Sequence, residues 1–186
     1  MRKLIILFVA ITVCSVSYGQ FVLSPNNFVN MDDTTKNYIV IEVPETSKSS
    51  LYIKAKKYFN QLYNNPKYVA SEIENEQIVI DAITNSWVMM YNWTGNNQWA
   101  LNYKIDVQFR DNKIKFTPIF KSLKNADYQK VALIGDKIMG INTGMFTTKG
   151  KVTLKKGNKR IDEYINSYFL QFKKAMEDVE KVNEEW

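Results

Sequence analysis

The chain has no histidine among its 186 residues and a single cysteine, Cys14. The side chains left to do chemistry are carboxylates, lysines, hydroxyls and tyrosines. Once the first nineteen residues are set aside, zinc sites of the Cys/His type, disulfides, cysteine nucleophiles and every triad with an imidazole base are excluded. Carboxylate acid–base catalysis needs two acids held at a fixed separation across a substrate. Asp81, Asp106 and Asp111 are scattered, no spacing pairs them, and Asp106 falls on the polar face of its strand. Asp32-Asp33 lacks the alternating oxygen ligands of a calcium loop. The residues therefore assign no catalytic group, no metal ligand and no cofactor, and a non-enzymatic protein is expected.

Two clusters are suited to binding. Lys149, Lys151, Lys155, Lys156, Lys159 and Arg160 place six positive charges in twelve residues with no acid among them. Such a run contacts an anionic surface, for example lipid head groups or an acidic glycan. The simpler account is a solvated hairpin whose last basic residues lie against Asp162 and Glu163 at the start of a terminal helix. Basic residues at a helix N-terminus oppose its dipole unless an anion sits nearby. The second cluster is aromatic: Trp87, Tyr91, Trp93, Trp99 and Tyr103 share a strand-like spacing that could stack on sugar rings. Beneath amphipathic helices such a stripe is core, so only Trp93 and Trp99, next to the turn, are expected to be exposed contacts.

The start of the chain places these clusters outside the cytoplasm. Arg2 and Lys3 precede a mostly apolar run from Leu4 to Val16, and Ser17 and Gly19 supply the small residues of a cleavage site. Residues 1–19 are thus expected to be a signal peptide, with the mature chain beginning at Gln20. Lipidation of Cys14 would require a small residue before it, where Val13 stands. The apolar run falls short of the ~20 residues of a spanning helix, so no transmembrane helix is expected in the mature chain. Losing Arg2 and Lys3 leaves 23 basic against 19 acidic residues, lowering the formal charge from +6 to +4. Export to the periplasm or cell exterior, including the outer membrane, removes access to chromosomal DNA. The expected partner is an envelope protein, a glycan or an anionic surface, and no nucleic acid.

The elements that position these residues follow from periodicity. Residues 20–36, polar with Pro25 and Asp32-Asp33, read as an extended lead-in without a buried strand. Tyr38 to Val43 alternates and ends at Pro44, giving a first strand. Ser47 fits an N-cap for a helix over about 48–63 carrying Leu51, Ala55, Phe59 and Leu62, with Ser50 in place of the glutamate of a full capping box. Runs at Tyr68 to Ile73 and Gln77 to Ile83 predict a hairpin. Gln98 to Arg110 alternates strictly between apolar and polar residues, and Lys113 to Phe120 follows an Asp111-Asn112 turn. Pro118 marks that second strand as an edge or as irregular. Upstream, Trp93 is expected to oppose Trp99 and Tyr91 to oppose Leu101, around a loop of Gly95, Asn96 and Asn97. Five of the seven glycines fall within 123–157, a weakly periodic stretch that reads as an elaboration dispensable to the core. A second helix from about Lys159 to Glu180 ends the chain, with a stripe of Ile161, Ile165, Tyr168, Phe172, Met176 and Val179.

Strand, helix, antiparallel strands, then helix make a two-layer α+β domain, with both helices covering the single apolar face of a meander sheet. The stretch from Asn37 to Phe120 resembles a secreted bacterial family of unknown function described as having a TBP-like fold, after the TATA-binding protein. The resemblance is carried by Tyr38 to Pro44, Ser47 to Ala55, Leu62 to Val69 and the strand ending Phe109-Arg110-Asp111-Asn112-Lys113, with Phe28-Val29-Asn30 belonging to the same likeness. It departs at Ser50, where an acidic residue is usual, which bears only on the helix cap. The resemblance implies a fold and a secreted setting, and no activity. The fold name does not imply DNA binding, because function belongs to a site. TATA-binding protein uses two tandem copies with wedge aromatics, whereas one copy fits here. A single domain over 37–186 is expected. Its expected function is that of a non-enzymatic binding or assembly module of the cell envelope; the alternative is an envelope glycan-processing hydrolase working with carboxylates.

Overall fold

The computed structural model describes residues 20–84, 88–92, 95–125 and 129–178. In chain order the elements are β1 (Phe21–Ser24), β2 (Asn27–Asn30), β3 (Ile39–Glu42), α1 (Lys48–Leu62), the one-turn α2 (Pro66–Val69), β4 (Ala70–Ile73) and β5 (Gln77–Ile83). They continue with β6 (Val88–Asn92), β7 (Gly95–Arg110), β8 (Lys113–Lys124), β9 (Lys130–Ile134), β10 (Lys137–Ile138), β11 (Ile141–Asn142), β12 (Gly144–Phe146) and α3 (Lys155–Glu177). The main sheet runs β12-β9-β8-β7-β5-β4, with β3 also on β8 and β6 also on β7. All its pairs are antiparallel except β9 with β12.

The strict alternation of β7 decides which face is covered. Leu101, Tyr103, Ile105, Val107 and Phe109 are buried, while Asn102, Lys104, Asp106 and Gln108 are half-exposed on the other face. Both helices lie over the apolar face. Tyr52 of α1 meets Phe109 edge-on, Phe169 and Phe172 of α3 pack on Phe116, and Phe59 stacks on Phe172 at 5.3 Å between ring centroids. The expected two-layer α+β architecture is thus the observed one.

The start of α1 is fixed from two sides. Ser47 Oγ accepts from Ser50 N–H at 3.2 Å, and Asp111 in the β7–β8 turn accepts from Lys48 N–H at 2.8 Å. An acid from the sheet thereby occupies the helix N-terminus that lacks one in its own first turn. Pro118 is accommodated as its residue type requires. On that edge of β8, β3 pairs only with Lys113 to Phe116 and β9 only with Leu123 and Lys124. In between, the Asn27 side chain takes the place of a strand by accepting from Phe120 N–H and donating to Phe120 C=O.

Four expectations are corrected. Residues 20–36 are not a bare lead-in, because β1 and β2 pair as a hairpin and bury Phe21, Leu23, Phe28 and Val29 in the core. The 123–157 stretch is not dispensable, because β9 and β12 extend the sheet and Leu123, Val131, Met145 and Phe146 are core residues. The parallel β9–β12 pair needs its glycines: a Cβ on Gly144 would lie 2.1 Å from Gly135 N. The β6–β7 register also differs, with Val88 opposite Trp99 and Tyr91 opposite Asn96, since Gly95, Asn96 and Asn97 belong to the strand and not to a loop. Finally, α3 begins at Lys155 instead of Lys159, with Gly157 and Asn158 buried in its first turns.

Candidate functional site

The earlier start of α3 reorganises the basic run. Lys149 sits in the turn over residues 147–150, closed by Gly150 N–H donating to Thr147 C=O, and Lys151 N–H donates to Thr147 Oγ1. Lys155, Lys156, Lys159 and Arg160 occupy the first two turns of the helix. Arg160 is half-buried and the five lysines are exposed. The helix carries no side-chain cap and no acid in its first turn, so these cations oppose its dipole. The expected neutralisation by Asp162 and Glu163 is slight. Lys159 reaches Glu163 at 3.8 Å in a well-exposed i,i+4 pair, a geometry worth only a few tenths of a kcal/mol (~0.3–0.5). Among the described residues, Lys149, Lys151 and Lys155 have no acidic partner.

Asp162 faces the other way. Its Oδ1 accepts from Leu23 N–H at 2.8 Å, while Asn166 one turn on accepts from Phe21 N–H and donates to Phe21 C=O. Two polar side chains of α3 thus serve the outer edge of β1 as a neighbouring strand would. Burial pushes the Asp162 carboxyl up to about 6, against the lowering effect of the Leu23 N–H.

The aromatic pair resolves differently. Trp99 is 6% exposed and belongs to the core, so it is not an exposed contact, and its Nε1 has no hydrogen-bond partner among the described residues. Trp93 lies outside the described residues. Tyr103 joins a chain of phenols in which its hydroxyl is 3.1 Å from those of Tyr63 and Tyr164, and Tyr63 is 3.0 Å from Tyr168. Burial raises all four above the ordinary tyrosine range, so they stay neutral hydrogen-bonding groups. The i,i+4 spacing of Tyr164 and Tyr168 announces part of this cluster in the sequence, whereas Tyr63 is joined to it only by the fold.

The scattered acids stay apart. Asp81 pairs with Lys121 at 2.7 Å, Asp106 accepts from Gln77 and Gln108, and Asp111 caps α1. Asp33 is engaged by Lys36 and Thr35, which hold its carboxyl down to about 2. A cleft of about 370 Å³ between the β2–β3 connection and α3 is lined by Asp32, Lys36, Tyr38 and Lys173 among others. Another of about 570 Å³ holds Glu76 and Asp111, both directed at Lys48.

Comparison with known proteins bears on the fold. The family described as a domain of unknown function (DUF4468) with TBP-like fold matches residues 26–118, beginning inside the β1–β2 hairpin. A crystal structure of a DUF4468 family protein from Bacteroides ovatus superposes with a TM-score of 0.56 at 12% identity, covering 77% of this chain and 86% of that one. A TBP-like protein from Parabacteroides distasonis gives the same TM-score and identity over 77% of this chain and 92% of its own. No curated protein matches the chain.

Proposed function

The chain belongs to the DUF4468 family of TBP-like fold, and from that premise we propose that it is a non-enzymatic, exported binding module that docks on an anionic surface of the cell envelope. The observation that carries this reading is the basic end of the molecule, where Lys149, Lys151 and Lys155 stand exposed without acidic partners among the described residues. Exposed charge without local neutralisation draws an opposite charge from outside, and the attraction fades as salt screens it. The signal-like residues 1–19 lie outside the described residues and support the envelope setting by their pattern alone. Asp111, Asp162 and Asp81, in contrast, are engaged in a helix cap, a strand edge and an ion pair, which favours a structural role for them over acid–base work.

The test is to crosslink the native protein in intact cells, fractionate the envelope and weigh the recovered chain. A mass beginning at Gln20, with crosslinks through residues 149–160 to envelope components, supports the reading. A chain that retains residues 1–19 in the cytosol contradicts it.

A further inference from the structure

We propose that the β10–β11 hairpin is a lipid-inserting tip, through which the basic end of the molecule docks on an anionic membrane; this deepens the reading above and rests on it. Among the described residues the hairpin pairs only with itself, as a two-stranded sheet separate from the main one. Its turn exposes three large apolar side chains in four residues: Met139 is 96% exposed, and Ile138 and Ile141 are each 64% exposed. Exposed apolar residues are ordinary when scattered, but a contiguous apolar tip marks a contact. Backbone geometry points the same way. Met139 and Gly140 have φ of 48° and 82°, the positive pair of a tight hairpin turn. Glycine or asparagine adopts that first position more readily than methionine, so a large apolar side chain is held there against local preference.

The tip stands on a fixed neck. Gly135 and Gly144 bring the two stems into backbone contact too close for a Cβ, and Thr143 Oγ1 donates to Asp136 C=O at 2.5 Å. Asp136 also accepts from Thr148 N–H at 3.1 Å and from Thr148 Oγ1 at 2.8 Å. This ties the turn bearing Lys149 to the base of the hairpin, beside the exposed Lys137. From residue 129 to 160 the sequence holds eight basic residues and one acid, and that acid is Asp136, whose two carboxylate oxygens both face Thr148. Apolar side chains at a tip with lysines around its base match the layering of an anionic bilayer, where acyl chains lie beneath charged head groups. An acidic glycan offers the charge and no apolar layer, leaving Ile138, Met139 and Ile141 in water.

The probe is vesicles of phosphatidylethanolamine with phosphatidylglycerol, compared with vesicles of phosphatidylcholine alone and with a soluble acidic polysaccharide. The wild-type protein should sediment with the anionic vesicles. Ile138→Ser/Met139→Ser/Ile141→Ser should lose about tenfold or more of that partition while keeping the wild-type melting temperature, because three apolar side chains no longer leave water. Insertion is read directly in the chain from Gln20 carrying Met139→Cys, its single thiol, with a polarity-sensitive dye whose emission should shift to the blue on anionic vesicles. The same dye on Lys104→Cys, on the sheet's polar face, should not shift. Vesicle binding with no blue shift and no loss in the triple serine variant overturns insertion and leaves the electrostatic reading standing. Binding to the polysaccharide alone likewise overturns insertion while that reading survives. Absence of binding to either probe overturns both.

Discussion

Replacing Asp162 by Asn isolates the balance between burial and hydrogen bonding that holds β1 against α3. The folded protein keeps the Asp162 proton up to about pH 6, whereas an unstructured aspartate near 3.8 loses it two units earlier. Between those values the unfolded chain binds fewer protons than the native one, so stability falls as pH rises through the window and stays low above it. At about 1.4 kcal/mol per unit the shift corresponds to ~3 kcal/mol, and partial exposure of the side chain screens this to roughly 1–2 kcal/mol. Asp162→Asn keeps an oxygen acceptor for Leu23 N–H and removes the charge. It should therefore be more stable than the wild type at pH 7 by that amount, a rise in melting temperature of ~2–8 °C for a domain of this size. The gain should shrink towards zero near pH 4. Urea or thermal melts of both proteins across this range, compared as differences, cancel the other carboxylates. A variant less stable than wild type at pH 7 would show that the charge-assisted bond to Leu23 outweighs burial, and would refute the reasoning.

Three further outcomes test the packing. Ile105→Asp puts a charge on the buried face of β7 and should prevent folding, whereas Lys104→Asp on the opposite face should change stability by less than ~1 kcal/mol in the same thermal melt. Gly144→Ala drives a methyl against Gly135 N and should cost about 1–3 kcal/mol by denaturant titration. Replacing residues 123–157 by a short linker removes Leu123, Val131, Met145 and Phe146 from the core. At ~2–5 kcal/mol for each large side chain the loss is about 8–20 kcal/mol, as large as the ~5–15 kcal/mol that holds a domain together, so circular dichroism should show an unfolded chain.

The sequence was most legible where one physical signal acted alone. The Ser47 cap with its helical spacing places α1 to within one residue, and the period-two pattern of Gln98 to Arg110 places the body and end of β7, though not its start at Gly95. The β1–β2 hairpin was hidden because its polar residues look solvent-facing yet serve structure: Ser24 bridges to Asn27 C=O, and Asn27 completes the open edge of β8. Strands of two or three residues, such as β10, β11 and β12, are too short to show a period. Gly157 falls in the weakly periodic stretch of the sequence, yet it and Asn158 are buried among packed neighbours inside α3. For the candidate site, the sequence alone located the basic cluster. It could not show that Asp162 turns away to Leu23, or that Thr148 brings the basic turn to the base of an apolar hairpin. Both depend on contacts distant along the chain.

The central claim, docking of the basic end on an anionic envelope surface, is tested most directly by charge reversal. Lys149→Glu, Lys151→Glu, Lys155→Glu and Lys156→Glu should be combined in one variant and its association with isolated native envelopes measured against salt. The wild type should bind at low salt and release as salt rises, and the reversed protein should stay unbound throughout while melting as a folded domain. Envelope association that survives the reversal, or that does not weaken with salt in the wild type, would contradict the account.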